Sequence, residues 1–454
     1  MSGTSAFLNV FKLPELRKKI FITLALLFVY RIGFHIPLPG TNVLVLRGVE
    51  DQISGNAVLG LMNVLSGGQL QFPVLFSLGI LPYISASIIF SLLVKVIPQL
   101  EALSKEGPAG QRKINQLTRL ATVPLCVIQG LILAFVQFKQ LKGTVYGQNV
   151  EDFMVPLLHS DSFFTSIGAV FMIVAGLTAG TLFIMWLGEQ ITEYGIGNGA
   201  SLIIMAGIIA ALPAAAGRII SDAVENRSRI LIIAVLILSY VGVVLAVVMI
   251  TKGQRRIPIQ QAKLMKGRRM YGGARHYLPL RVNMANVMPV IFAASLLMFP
   301  NLISNALGNR EPLLSPGGWW YVTLEIILIF FFSFFWTSMM FQPQEMANNL
   351  KEHGSFVPGI RPGRKTAEYL ERIMVRITLA GGAFLAVIAI IPTIVTGSLN
   401  VDWMTARFLG GTGILIVVGV ALDLVDKLNA ELMTRNYDGF MGSSASKKGA
   451  RGGR

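Results

Sequence analysis

Long apolar runs recur along the chain, near residues 20–36, 73–94, 118–138, 163–186, 201–217, 230–250, 285–300, 320–341, 374–393 and 408–425. Each approaches the roughly 20 residues an α-helix needs to cross a hydrocarbon core about 30 Å thick. The pattern predicts ten membrane-spanning helices, and an even count puts both termini on one side. Between the first two runs lies AVLGLMNVLSGGQL, residues 57–70, which is apolar but too short to span. Ser66, Gly67 and Gly68 read as the turn that ends it. Backbone at membrane depth is tolerated only inside protein or against a water-filled cavity. The segment is therefore either a small helix tucked into a cavity or a helix lying in the interface.

Composition agrees with the pattern. Of the 454 residues 53% are apolar and only 14% are charged, where about 25% charged is usual for soluble domains. Such a chain cannot cover a water-facing surface. The single cysteine, Cys126, lies in an apolar run and reads as a buried thiol. It excludes a disulfide framework or a thiolate metal cluster within the chain. Lys12, Arg17, Lys18 and Lys19 precede the first run without a small-x-small cleavage pattern after it. The expectation is a retained first span behind a basic interfacial segment, residues 1–19.

Charge also orients the chain, because loops facing the cytoplasm carry the Lys and Arg excess. With the amino terminus inside, 30 of the 39 basic residues fall inside, counting Arg119 and Arg376 at the cytoplasmic ends of their runs, 8 fall outside, and Arg31 lies within the first run. Two inside loops, 252–283 and 343–373, are longer than a connection needs. The first holds Lys252, Arg255, Arg256, Lys263, Lys266, Arg268, Arg269, Arg275 and Arg281, with no Asp or Glu. It serves either as an anchor on anionic lipid or as a docking surface for a polyanion such as ribosomal RNA.

Charge within the spans is sparse. Arg31 and Glu325 are the clear cases, each within snorkelling reach of the outer interface. An ion-coupled transporter usually places ionisable residues near the midplane, and none is evident. Pro82, Pro124, Gly176, Gly180 and Pro289 interrupt spans and read as kinks or close helix contacts. GIGNG at 195–199 lacks the strand context and lysine of a nucleotide loop and reads as a tight turn. No catalytic constellation or cofactor motif is found, so no enzyme activity is expected.

Several strings are more specific. They are RIGFHIPLPG at 31–40, LSGGQL at 65–70, LGILPYISASIIFSLL at 78–93, KEGPAGQRKINQLTR at 105–119, MWLGEQITEYGIGNGASLII at 185–204, KGQRRIPIQQAK at 252–263, LPLRVNMANVMPVIFA at 278–293, FVPGIRPGRKTAEYL at 356–370 and FLGGTGILIVV at 408–418. In this order and spacing the chain resembles the SecY family, the large subunit of the Sec protein-conducting channel, in its bacterial form.

The resemblance implies an all-α polytopic fold in which two five-helix halves, 20–217 and 230–425, form a clamshell, with a basic tail at 426–454. It implies a plug over 57–70, comprising Leu59, Leu61, Met62, Val64, Leu65, Ser66, Gly67 and Gly68. It places a pore ring on Ile80, Ile84, Ile204, Ile291 and Ile416. A lateral gate follows from Pro82, Ser85, Ser87 and Ile88 on one helix and Asn286, Pro289 and Phe292 on another. Arg255, Arg256, Arg268, Arg269 and Arg361 match partner-contacting positions.

The implied partners are SecE, SecG, the SecA motor, the ribosome through its RNA, signal peptides and nascent membrane segments, and lipid. The implied location is the bacterial plasma (inner) membrane, with both termini cytoplasmic. Phosphate contact by Arg255 and Arg256 implies salt-sensitive ribosome binding. The chain departs from the family at Tyr194, where a basic residue is usual. The stretch 187–200 thus holds Glu189 and Glu193 and no base.

Overall fold

The computed structural model describes residues 14–39, 74–134, 163–225, 230–261, 264–266, 269–271, 275–306, 314, 318–399 and 412–449. Their helices are α1 (Pro14–Gly33), α2 (Leu81–Val96), α3 (Pro98–Lys105), α4 (Pro108–Ile132), α5 (Phe163–Tyr194), α6 (Gly199–Glu225), α7 (Ile230–Lys252), α8 (Met288–Ala306), α9 (Trp319–Met340), α10 (Pro343–Glu352), α11 (Arg364–Leu399) and α12 (Thr412–Gly449). Five short strands accompany them: β1 (Gln254–Gln261), β2 (Leu264–Lys266), β3 (Arg269–Tyr271), β4 (Arg275–Arg281) and β5 (Ser355–Phe356). Each of the ten apolar runs overlaps one of these helices.

Among the described residues, three stretches are long and apolar enough to cross a membrane: Val170–Tyr194, Trp319–Glu352 and Arg364–Ile391. The pair α2 and α3, bent by 98°, makes a fourth if it counts as one span. That bend has a local cause. Ile97 precedes Pro98 and is extended, with φ −99° and ψ 113°, because the proline ring disfavours helical backbone before it. Pro98 then opens α3 at a position where its missing N–H costs nothing.

The chain divides into two compact units, Met1–Ala214 with Val420–Arg454, and Ala215–Gly419. In the first unit α4 packs on α2 and α5, and α1 packs on α5. An aromatic cluster of Tyr30, Phe34, Phe76 and Phe183 joins the end of α1 to the turn before α2 and to α5, with centroids 5.0–6.3 Å apart. The turn at 74–80 is held by the Ser77 hydroxyl, which donates to the Val74 carbonyl at 2.7 Å and accepts from the Val74 N–H at 2.9 Å. Leu75 N–H donates to the Ile36 carbonyl at 2.9 Å. A side chain at Gly180 would collide with the Leu75 carbonyl, so α5 needs glycine there to approach the turn. In the second unit α9 packs between α8 and α11.

Three expectations change. The all-α description gives way to a mainly helical fold with a small sheet, because the loop 252–283 carries strands. Pro82 and Pro289 do not interrupt helices: α2 begins at Leu81 and α8 at Met288, so each proline sits in a first turn, where it is compatible with helix. Pro124 does lie inside α4. Glu325 does not snorkel; it is 3% exposed, on the buried face of α9 with Tyr321, Ile329 and Ser333.

Candidate functional site

The two long loops fold together within the second unit. In KGQRRIPIQQ the residues Ile257 and Ile259 alternate with exposed Arg256 and Pro258, the period-2 pattern of a strand buried on one face. β1 pairs antiparallel with β4, with Arg255 opposite Leu280 and Ile257 opposite Leu278. Val282 N–H donates to the Gly253 carbonyl at 2.9 Å and closes the base of this hairpin. On its other edge β1 pairs with β5 from the second loop, so the sheet order is β4-β1-β5. One apolar core holds both loops: Ile257, Leu280, Phe341, Val357, Leu370, Ile373 and Ile377 are buried in it.

Arg361 stands at a turn that the same core fixes. Val357 and Ile360 pack into the core, and Ile360 N–H donates to the Val357 carbonyl at 3.1 Å. Gly359 and Gly363 flank the turn at φ +82° and +97°, backbone that favours glycine. The Thr366 hydroxyl donates to the Arg361 carbonyl at 2.9 Å, tying the turn to the start of α11. With its backbone held from both sides, the guanidinium projects into solvent.

Arg255, Arg256 and Arg361 are all exposed, and among the described residues none of them forms an ion pair. Nearby Arg364 and Lys365 differ, since both bond Glu368, at 3.2 and 3.1 Å. Free guanidiniums on a rigid surface suit carboxylates or phosphates, which they bind in a bidentate fork. Arg269 opens β3, whereas Arg268 lies outside the described residues. The sequence reading missed the residues that aim Arg361, namely Val357, Ile360 and Thr366. Two glycines four apart around an apolar-Arg-Pro triplet carried that signal.

The remaining site residues divide between the units. Ile80, Ile84 and Ile204 are buried in the first, at 2%, 9% and 4% exposure. Ile80 caps the start of α2, and Ile84 N–H donates to its carbonyl at 3.1 Å, so the two share a helix face. Ile291 and Ile416 are buried in the second unit. Pro82 and Ser85 are buried on α2, while Ser87 and Ile88 are half-buried.

Asn286 precedes α8 with φ 52°, a left-handed conformation that asparagine tolerates. The Asn283 side-chain amide donates to its carbonyl at 3.0 Å. Pro289 is buried in the first turn of α8, and Phe292 packs edge-on against Phe332 and Trp336 of α9 at 5.5 and 5.4 Å. The proposed plug, from Leu59 through Gly68, lies outside the described residues.

These features define a helical membrane protein that carries a rigid basic platform. Comparison with known proteins makes the class specific. The family described as SecY matches residues 74–425. A protein translocase subunit SecY of Streptomyces galbus is 43% identical over 96% of this chain and 99% of its own length. The chain belongs to the SecY family. Among solved structures, it resembles a SecY whose plug domain is described as stabilising the closed state of the translocation channel, with TM-score 0.63 at 20% identity, over 91% of this chain and 92% of that one. It also resembles Sec61 from a canine ribosome–channel complex of the endoplasmic reticulum, with TM-score 0.58 at 18% identity over the same shares. These likenesses concern the fold.

Proposed function

We infer that this chain is the central subunit of a protein translocase, a gated channel that passes unfolded secretory polypeptides across a membrane and releases apolar segments sideways into lipid. The observation that carries the reading is the 43% identity, along nearly the whole chain, to a protein translocase subunit SecY. Sorting follows from partition. Each Leu, Ile, Phe or Val at a helix centre favours insertion by about 0.3–0.6 kcal/mol, and each Asp, Lys or Arg opposes it by about 2.5–3.5 kcal/mol. A dozen apolar residues therefore leave through an open gate, while a polar stretch continues across.

The finer assignments follow the family resemblance. The ten helices form two five-helix halves in the bacterial inner membrane, with both termini cytoplasmic. Ile80, Ile84, Ile204, Ile291 and Ile416 form the ring, where branched apolar side chains break the water column and resist ion flow by dewetting. Pro82, Ser85, Ser87 and Ile88 face Asn286, Pro289 and Phe292 as the lateral gate. SecE and SecG are the companion subunits. The chain supplies no energy of its own, and the drive comes from SecA or a translating ribosome docked on the platform of Arg255, Arg256 and Arg361. Exposure of those three guanidiniums, without ion-pair partners among the described residues, supports the docking role.

Deleting residues 57–70 tests the plug. In planar bilayers holding the complex, resting ion conductance is expected to rise while precursor transport in vesicles persists. Unchanged resting conductance contradicts the plug assignment.

A further inference from the structure

The turn at 195–199 follows a stretch of α5 whose Glu189 is paired with Arg119 of α4. The turn itself carries no charge, and it is held from two sides by helices at opposite ends of the sequence. On one side is α1. The Thr23 hydroxyl accepts from the Ile196 N–H at 3.2 Å and donates to the Lys19 carbonyl at 2.9 Å. Ile196 is 4% exposed, and a buried amide without an acceptor is costly. The approach requires glycine at 195, since a Cβ there would strike the Thr23 hydroxyl and the Ile191 carbonyl.

On the other side is α12. Gly197 carries the turn through φ +93°, and a Cβ on it would rest against Leu424 of α12. Two turns further along α12, Glu431 Oε1 accepts from Lys19 Nζ at 2.6 Å and joins α12 to α1 directly. The start of α1 is itself packed, since the helix runs unbroken from Pro14 and Leu16 is buried. A half-exposed ion pair is weak alone, so the Lys19–Glu431 bond, the Leu424 contact and the Thr23 hydroxyl hold the turn jointly. Chain order turns this arrangement into one of timing. The first unit comprises Met1–Ala214 and Val420–Arg454, with the whole second unit between them in the sequence. Leu424 and Glu431 are synthesised about 230 residues after the turn, roughly 10–50 s later at the usual rate of translation. During that interval the turn has α1 beside it and no α12.

We propose that α12 is a completion lock on the first unit: the turn at 195–199 stays open to solvent until the last helix is made, and the seating of Leu424 and Glu431 closes it. Before closure the turn is covered on one face only, and water reaches Ile196. After closure Ile196 is enclosed and its N–H is held by Thr23. A finished chain thereby differs from an unfinished one at a segment made long before, and the packing of that segment reports that the chain is whole. The inference stands on these contacts and does not depend on the transport reading.

The test places a thiol in the turn by Ile196→Cys and follows its reaction with a maleimide during synchronised cell-free synthesis of the full chain into membrane vesicles. Cys126, which is fully buried on α4, is the internal control for packing of the rest of the unit. The thiol at position 196 is expected to react throughout synthesis and to become shielded only when the finished chain is released. In finished chains, Glu431→Lys, Leu424→Ala and Thr23→Val are each expected to speed its labelling roughly tenfold, as a modest loss of local stability does, while Cys126 stays unreactive. The reversal Lys19→Glu with Glu431→Lys should return the shielding that Glu431→Lys alone removes.

Shielding of position 196 well before the chain is complete overturns the lock, because the turn then closes without α12. Shielding that survives both Glu431→Lys and Leu424→Ala overturns it as well, as does a reversal that restores nothing. A merely structural role for α12 predicts a different pattern, in which Cys126 becomes reactive in step with position 196 in every variant. That result contradicts a lock confined to the turn.

Discussion

Arg361→Glu is expected to stop motor-driven transport while leaving the chain folded and inserted. The side chain is exposed and makes no ion pair among the described residues, so its removal costs the fold little. Its backbone is held by Thr366 and by the packing of Val357 and Ile360, none of which the substitution touches. The loss therefore falls on whatever docks there. Truncating a desolvated interfacial charge costs about 2–5 kcal/mol, and reversing it adds repulsion, so partner affinity should fall by at least roughly 30-fold. SecA-dependent import into vesicles and direct SecA binding measure the effect. Full transport with Arg361→Glu removes this turn from the motor contact.

Ile257→Asp is the second large effect. Ile257 is 2% exposed at the centre of the core that joins both loops. A carboxylate there lacks the pairing that a buried charge requires, so it either costs several kcal/mol or takes up a proton and still leaves a polar group in an apolar core. The hairpin should separate from β5 and the turn at Arg361 should lose its support. Insertion into the membrane should persist, because it follows from the apolar spans, and Ile257 lies outside them. Hydrogen exchange is expected to show β1 and β4 unprotected, with motor-dependent transport lost as for Arg361→Glu. Retained protection across β1 and β4 contradicts the single-core description of the platform.

Much of the fold is legible in the sequence because lipid imposes a strong pattern. Each of the ten apolar runs overlaps a helix, although α4 and α11 begin ten residues before their runs and α12 continues well past its own. The helix starts were less legible: Pro82 and Pro289 resemble breaks inside apolar runs, yet a proline is equally at home in a first turn. The platform was obscured for a different reason. In QRRIPIQ only Ile257 and Ile259 alternate, too short a period-2 pattern to mark a strand beside two arginines and a proline. β5 is two residues long and carries too little pattern to announce pairing with β1.

The site separates in the same way. Arg255, Arg256 and Arg361 stood out as charge on long loops, but the packing that aims Arg361 depends on Val357 and Ile360 meeting a hairpin about a hundred residues earlier in the chain. No local rule gives that contact. The Arg119–Glu189 pair is likewise invisible locally, since its partners are seventy positions apart on different helices. What the sequence did mark was the absence of a base between 187 and 200, which is the gap Arg119 fills.

The most direct test of the central claim is transport of a purified secretory precursor into vesicles containing this chain with SecE and SecG, supplied with SecA and ATP, beside vesicles lacking only this chain. Protease-protected precursor that requires the chain, and that accumulates in proportion to the amount inserted, is the expected result. Absence of protected precursor, with the chain correctly inserted and a known translocase active in the same assay, would contradict the account.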